Sequence, residues 1–150
     1  MIADDIMDNH HFDYYLQHNE IRYGEYEKLI HSSPDAYYKP DKPVFYARPA
    51  TSVVSPSIIN EPQKTLLREI SWTLNSQKTN FRIVISPLYD QKQFNPTDLA
   101  YMKGLFGENR VYDFSGINDI TNDKFNYYET SHYRPHIARK IMALIYGTQG

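Results

Sequence analysis

Glu129 and His132 stand three residues apart in the stretch YYETSHYRPHIARK, residues 127–140. A carboxylate at that distance ahead of a histidine, in a loop entering a helix, can curl back and accept a hydrogen bond from the ring Nδ1–H. That bond sets the tautomer and leaves Nε2 to act as a base, the pairing a serine nucleophile requires. The same residues admit two other readings. Acids are favoured at helix starts, so Glu129 also suits a solvent-exposed turn. His132 and His136 lie at i, i+4, and with Glu129 they offer three zinc ligands, provided both histidines share a helix face. Pro135 between them marks a helix start, which leaves His132 outside the helix and argues against a metal.

Neighbouring residues complete the candidate site. Tyr133 and Arg134 are the candidate binding residues, Arg134 for a carboxylate or an anionic polymer. Ser131 is too close to His132 along the chain to be its nucleophile and reads as a turn or cap residue. Asp90 and Asp113, at predicted strand ends, are either catalytic acids or caps of the turn that follows. His10 and His11 are adjacent and point to no common centre.

The elements that must position these groups lie mainly after residue 60. INEPQKTLLREISWTL predicts a helix with Asn60 as N-cap, Pro62 in its first turn and a stripe of Leu66, Leu67, Ile70 and Leu74. Trp72 in that helix reads as core or interface. FRIVIS, 81–86, predicts a strand buried on both faces and stopped by Pro87. NPTDLAYMKGLF predicts a helix capped by Asn95, started by Pro96 and stopped by Gly107. VYDF, 111–114, predicts a second strand. PHIARKIMALIYG predicts a last helix with Ile137, Ile141, Leu144 and Ile145 on one face, ending at Gly147.

That order is the order of an α/β fold with a parallel sheet and a right-handed crossover from Ile85 to Val111. Functional groups in such sheets collect at the carboxyl ends of the strands, where SPLYD, SGIND and the loop to His132 all fall. Residues 1–60 are expected to form a separate helical and extended segment, and 61–150 the folded body. A helix is expected within NEIRYGEYEKLI, where Ile21, Tyr26, Leu29 and Ile30 share a face despite Gly24. SSPDAYYKPDKPVFYARPATSVVSPS carries five of the nine prolines and reads as an extended connector lying over a surface. No strand is expected before residue 60.

Composition narrows the class. The chain has 150 residues, 41% hydrophobic and 23% charged, the profile of one globular domain. A net charge of −2 without any basic run argues against a nucleic-acid partner. Without cysteine there is no disulfide, thiolate nucleophile or cysteine-bound zinc. No apolar run approaches a membrane span, and the acidic start MIADDIMDNHH lacks the regions of a signal peptide, so a soluble chain is expected. The 14 tyrosines suit half-buried surfaces, carbohydrate contacts and partner interfaces.

YYETSHYRPHIARKIMALIYG resembles the last block of the SGNH (GDSL-type) hydrolases, where an Asp-x-x-His motif precedes the final helix and completes a Ser-His-Asp triad. The wording S-H-Y-R-P, with FRIVISPLYD and VYDFSG at this spacing, is similar to the bacterial cell-envelope branch related to polysaccharide O-acetyl esterases and transferases. The resemblance covers about residues 60 to 147. It implies a three-layer SGNH or flavodoxin-like fold and ester hydrolysis or acyl transfer on an acylated carbohydrate. His132 would be general base and then acid, and Glu129 would orient it; no metal or organic cofactor is required.

The chain departs from that pattern in two places. Glu129 stands where the family usually has aspartate, and misplacing a catalytic group by about 1 Å costs on the order of a hundredfold in rate. None of its serines lies in a G-D-S block, so the nucleophile and oxyanion donors are expected from residues outside this chain. GIND, 116–119, imitates the family's G-x-N-D block but follows the last predicted strand and reads as a turn. Two expectations follow: a carboxyl-terminal portion of an esterase or acyltransferase, or a non-catalytic SGNH-like binding or assembly module. An apolar sheet edge is expected, covered by a missing amino-terminal segment, by residues 1–60 or by a second copy in a homo-oligomer.

Overall fold

The computed structural model describes residues 13–15, 20–39 and 45–147, with side chains from Tyr23 onward. The chain divides into two units, Met1–Phe45 and Tyr46–Gly150. In the first, β1 (Asp13–Tyr15) and β2 (Glu20–Arg22) pair antiparallel, with Tyr14 opposite Ile21. The helix expected here is α1 (Gly24–Ser32), with Glu25 and Glu27 favouring its positive end. Ile21 lies in β2 instead; of the other three residues of the expected face Ile30 is buried, Tyr26 half-buried and Leu29 exposed. A short helix α2 (Pro34–Tyr37) interrupts the stretch read as extended, because Pro34 occupies a first-turn position that needs no N–H. Tyr37 and Tyr38 are buried, their rings edge to face at 4.9 Å.

The second unit is mixed α/β with short parallel strands. β4 (Ile83–Ile85) runs parallel to β6 (Val111–Asp113), and the returning connection holds α4 (Pro96–Phe106). β3 (Val53–Val54) runs parallel to β5 (Lys92–Gln93) as a separate pair. β1, β2 and β3 all precede residue 60, against expectation. The two valines of β3 are a strand only through long-range pairing with β5, which no local periodicity encodes.

Alternation along β4 and β6 sends successive side chains to opposite faces. Ile83 and Val111 join a cluster of Phe81, Met102 and Phe106, against which Leu67 and Leu74 of α3 (Glu61–Ser76) pack. Val84 and Tyr112 join Ile120 and the buried Ile137, Ile141 and Ile145 of α5 (Pro135–Tyr146). The strand residues of β4 are half-buried rather than sealed on both faces, since among the described residues β4 pairs with β6 alone.

Two apolar stripes are narrower than their spacing suggests. Leu67 and Leu74 turn inward, while Leu66 and Ile70 remain exposed and Trp72 is 73% exposed. Leu144 is likewise exposed on the flank of α5. Caps divide in the same manner. Asn95 caps α4, its Oδ1 accepting from the Thr97 amide at 2.9 Å. Asn60 occupies the N-cap position of α3 but makes no side-chain cap bond.

The sequence places a boundary near residue 60, whereas the contact division falls at Phe45. Residues 46–60 belong with the second unit for a visible reason. Buried Asp98 accepts from Ser57 Oγ at 2.6 Å and from the Ile58 amide at 2.8 Å. Burial pushes the Asp98 carboxyl up, yet the Ser57 hydroxyl, the Ile58 and Ile59 amides and the Lys64 charge outweigh it. The group is held below the ordinary carboxylate range.

Candidate functional site

Pro135 starts α5 and biases Arg134 before it toward extended backbone, which it adopts with ψ 159°. Backward from that point the chain forms a narrow antiparallel ladder. Tyr127 bridges Tyr133, the Arg134 amide donates to Asn126 O at 2.7 Å, and the Tyr128 amide donates to His132 O at 2.9 Å. Glu129, Thr130 and Ser131 form its tip.

At this tip the two carboxylate oxygens of Glu129 face different donors. Oε2 accepts from the Ser131 amide at 2.9 Å, and Oε1 bonds His132 Nδ1. Ser131 therefore serves the turn through its backbone. The Glu129 side chain is 23% exposed and that of His132 is 60% exposed. An imidazole whose Nδ1–H is committed to a carboxylate presents Nε2 as its acceptor nitrogen.

What holds the tip in place lies after β4. Tyr127 is fully buried, and its hydroxyl donates to Pro87 O at 3.0 Å. Burial pushes its phenol well above the ordinary tyrosine range. The Tyr89 amide donates to Thr130 O at 3.2 Å, and the Tyr89 and Tyr127 rings meet edge to face at 5.8 Å. SPLYD thus adjoins the turn that carries His132, as strand ends in a parallel arrangement allow.

SGIND closes the same edge. Asn118 Nδ2 donates to Phe114 O at 2.9 Å, and its Oδ1 accepts from the amides of Ile120 and Thr121 at 2.9 and 3.1 Å. Its side chain is committed to the turn, as the composition of GIND suggests, and Gly116 supplies a φ of 76°. Asp113 and Asp90 cap turns, accepting from the Ser115 and Lys92 amides at 2.9 and 3.1 Å. Gln91 takes a φ of 57° and its buried amide donates to Asn122 Oδ1 at 2.9 Å, which ties SPLYD to the segment after SGIND.

The remaining candidate residues are placed as follows. Tyr133 is half-buried and packs against the cluster of Ile120, Ile137, Ile141 and Ile145. Arg134 donates from Nη1 to Phe125 O at 3.2 Å. His136 Nε2 lies 2.9 Å from Asn126 Oδ1, so the two imidazoles face separate partners. Among the described residues no group of three His, Cys, Asp or Glu side chains is placed to hold a metal ion. His10 and His11 lie outside the described residues.

A cleft of about 160 Å³ opens at the carboxyl ends of the strands, lined by Ile85, Ser86, Asp90, Lys92 and Ser115 among others. His132 is not among its lining residues. Sequence reasoning missed Arg48, Tyr89, Thr121 and Asn126, all of which hold the loops of this edge through backbone carbonyls. A lone arginine in a proline-rich stretch carries no local signal of such a role. No helix among the described residues is long and apolar enough to cross a membrane. Compared with protein-family models, curated proteins and solved structures, the chain matches none of them.

Proposed function

We propose that this chain supplies the histidine–acid half of an SGNH-like hydrolytic centre acting on an acylated carbohydrate. His132 serves as general base toward a serine hydroxyl and then as general acid toward the leaving alkoxide. Glu129 orients the ring and stabilises its cation. The serine and the oxyanion donors come from a segment outside this chain. The body is the carboxyl-terminal portion of a three-layer α/β fold, with β4 and β6 between α3 and α4 on one side and α5 on the other. The bacterial cell envelope is the compartment in keeping with this reading.

One observation carries it: the Glu129 carboxylate is bonded to His132 Nδ1 on an exposed tip fastened to the loop after β4. A capping acid at a helix start would instead turn toward the first amides of α5, and Glu129 does not. The test is complementation. The purified chain should be inert toward p-nitrophenyl acetate, and turnover should begin when a polypeptide carrying a G-D-S strand is added. His132→Ala should then cut turnover by about a thousandfold or more, and Glu129→Gln by a smaller factor. Complemented turnover that His132→Ala leaves unchanged would refute the reading.

The second reading, a non-catalytic SGNH-like binding or assembly module, is favoured by the exposed Leu66 and Ile70, four residues apart on one face of α3. In that case Leu66→Glu with Ile70→Lys abolishes association, measured by sedimentation, and His132→Ala leaves it unchanged. Association insensitive to the α3 pair would remove this reading.

A further inference from the structure

The segment Tyr46–Arg48 reaches the strand-end loops and holds them through the Arg48 guanidinium, bonded to their main-chain carbonyls, and through the Tyr46 carbonyl. Arg48 Nη1 donates to Tyr89 O at 3.2 Å and also to Thr121 O, and Nη2 donates to Asn122 O at 3.1 Å. Its guanidinium lies over the Tyr89 ring, 4.3 Å from the centroid. The Tyr89 hydroxyl in turn donates to Tyr46 O at 3.0 Å. One planar fork therefore joins the loop after β4 to the segment after SGIND, with a stacked ring fixing its plane.

Both main-chain polar groups of Tyr89 are thereby engaged, in the two peptide units that flank its Cα. Arg48 bonds its carbonyl, while its N–H donates to Thr130 O between Glu129 and His132. A displacement of Tyr89 that lengthened the Arg48 bond would also shift this N–H relative to Thr130 O, since both groups hang on one Cα. We infer that Arg48 is a positioning residue for His132, acting through the Tyr89 backbone to keep the Glu129–His132 tip in one conformation. The inference rests on the reading of His132 as the base. It assigns a role to the segment before residue 60, to which the family resemblance does not extend.

Three bonds to carbonyls of two separate loops, plus stacking, demand a flat fork with several donors. Lysine has a single ammonium and no planar face, so Arg48→Lys should fail to rescue the function. A merely structural arginine would change stability and leave the imidazole as it was, so the readout must be the ring itself.

The experiment records the 15N signals of the His132 and His136 rings by NMR in the wild-type chain, Arg48→Lys, Arg48→Ala and Glu129→Gln. Near-UV circular dichroism verifies that each is folded. In the wild type His132 should be a single Nδ1–H tautomer. Glu129→Gln and both Arg48 variants should bring the two ring signals toward each other as the tautomers mix, with His136, bonded to Asn126, unchanged. Exchange of the Tyr89 amide should rise roughly fivefold or more in the Arg48 variants. Should Arg48→Ala fail to fold, Arg48→Lys, which keeps charge and stem, decides alone. If Glu129→Gln mixes the tautomers and a folded Arg48→Lys does not, the positioning role is refuted while the histidine–acid reading survives. If Glu129→Gln itself leaves His132 unchanged, both fall.

Discussion

At the scale of single residues, two buried polar groups with opposite pH behaviour decide stability at the strand ends. Asp98 is a carboxylate whose partners hold its folded value below its ordinary 3.8. A depressed carboxyl contributes stability that is complete above the unfolded value and is lost as pH falls through the folded one. Acid unfolding of the second unit should therefore set in below about pH 4, and Asp98→Asn should flatten that limb. The same change should also lower the urea midpoint at neutral pH by about 2 kcal/mol in unfolding free energy. Tyr127 works the other way. Its raised value means that stability is complete below the ordinary 10.0 and is lost as pH rises above it. Tyr127→Phe should remove this alkaline limb and cost about 1 kcal/mol near pH 7, because Pro87 O loses its donor.

At the scale of elements, a helix start is secured either by its own cap or by the tertiary contacts around it. α4 has both. Asn95 caps it, and Asp98 in its first turn accepts from the Ser57 hydroxyl and the Ile58 and Ile59 amides. α3 begins with Asn60 in the same formal position but without the side-chain bond, and is held instead by Leu67 and Leu74 in the core. Asn95→Ala should cost about 1 kcal/mol and Asn60→Ala a few tenths, both read from denaturant midpoints at unchanged slope. Equal losses would mean that the cap of α4 contributes nothing beyond its position. The tip before α5 follows the second pattern. Arg134 makes no side-chain cap bond, and the turn is fixed by Tyr127, Asn126 and Tyr89 reaching neighbouring loops.

At the scale of the whole molecule, burial separates the side chains that hold the second unit together from those available to a partner. Met102 is 8% exposed within one core cluster, and Trp72 is 73% exposed on α3. Met102→Ala should lose about 2 to 5 kcal/mol, the cost of removed contacts and a cavity, while Trp72→Ala should stay within about 0.5 kcal/mol of the wild type. A large loss for Trp72→Ala in chemical denaturation would show that its ring is covered in solution, by another copy or another segment.

Much of the site could be read locally. Pro96 and Pro135 set helix starts because they fix φ and lack a donor, and Gly107 and Gly147 end helices with φ values of 104° and 76°. Glu129 and His132 were legible as a pair because a turn with two intervening residues suffices to bring them together. The α/β order, the parallel pairing of β4 with β6 and the gathering of loops at their carboxyl ends followed from element types alone. Other features depended on contacts between residues far apart in sequence: Arg48 meets Tyr89 and Thr121 across separations of 41 and 73 residues. The pairing of β3 with β5 and the exposure of Leu66, Ile70 and Leu144 belong to the same class. Local periodicity reports which face of an element is apolar, but what covers that face is chosen by the rest of the chain, and only the folded backbone decides it.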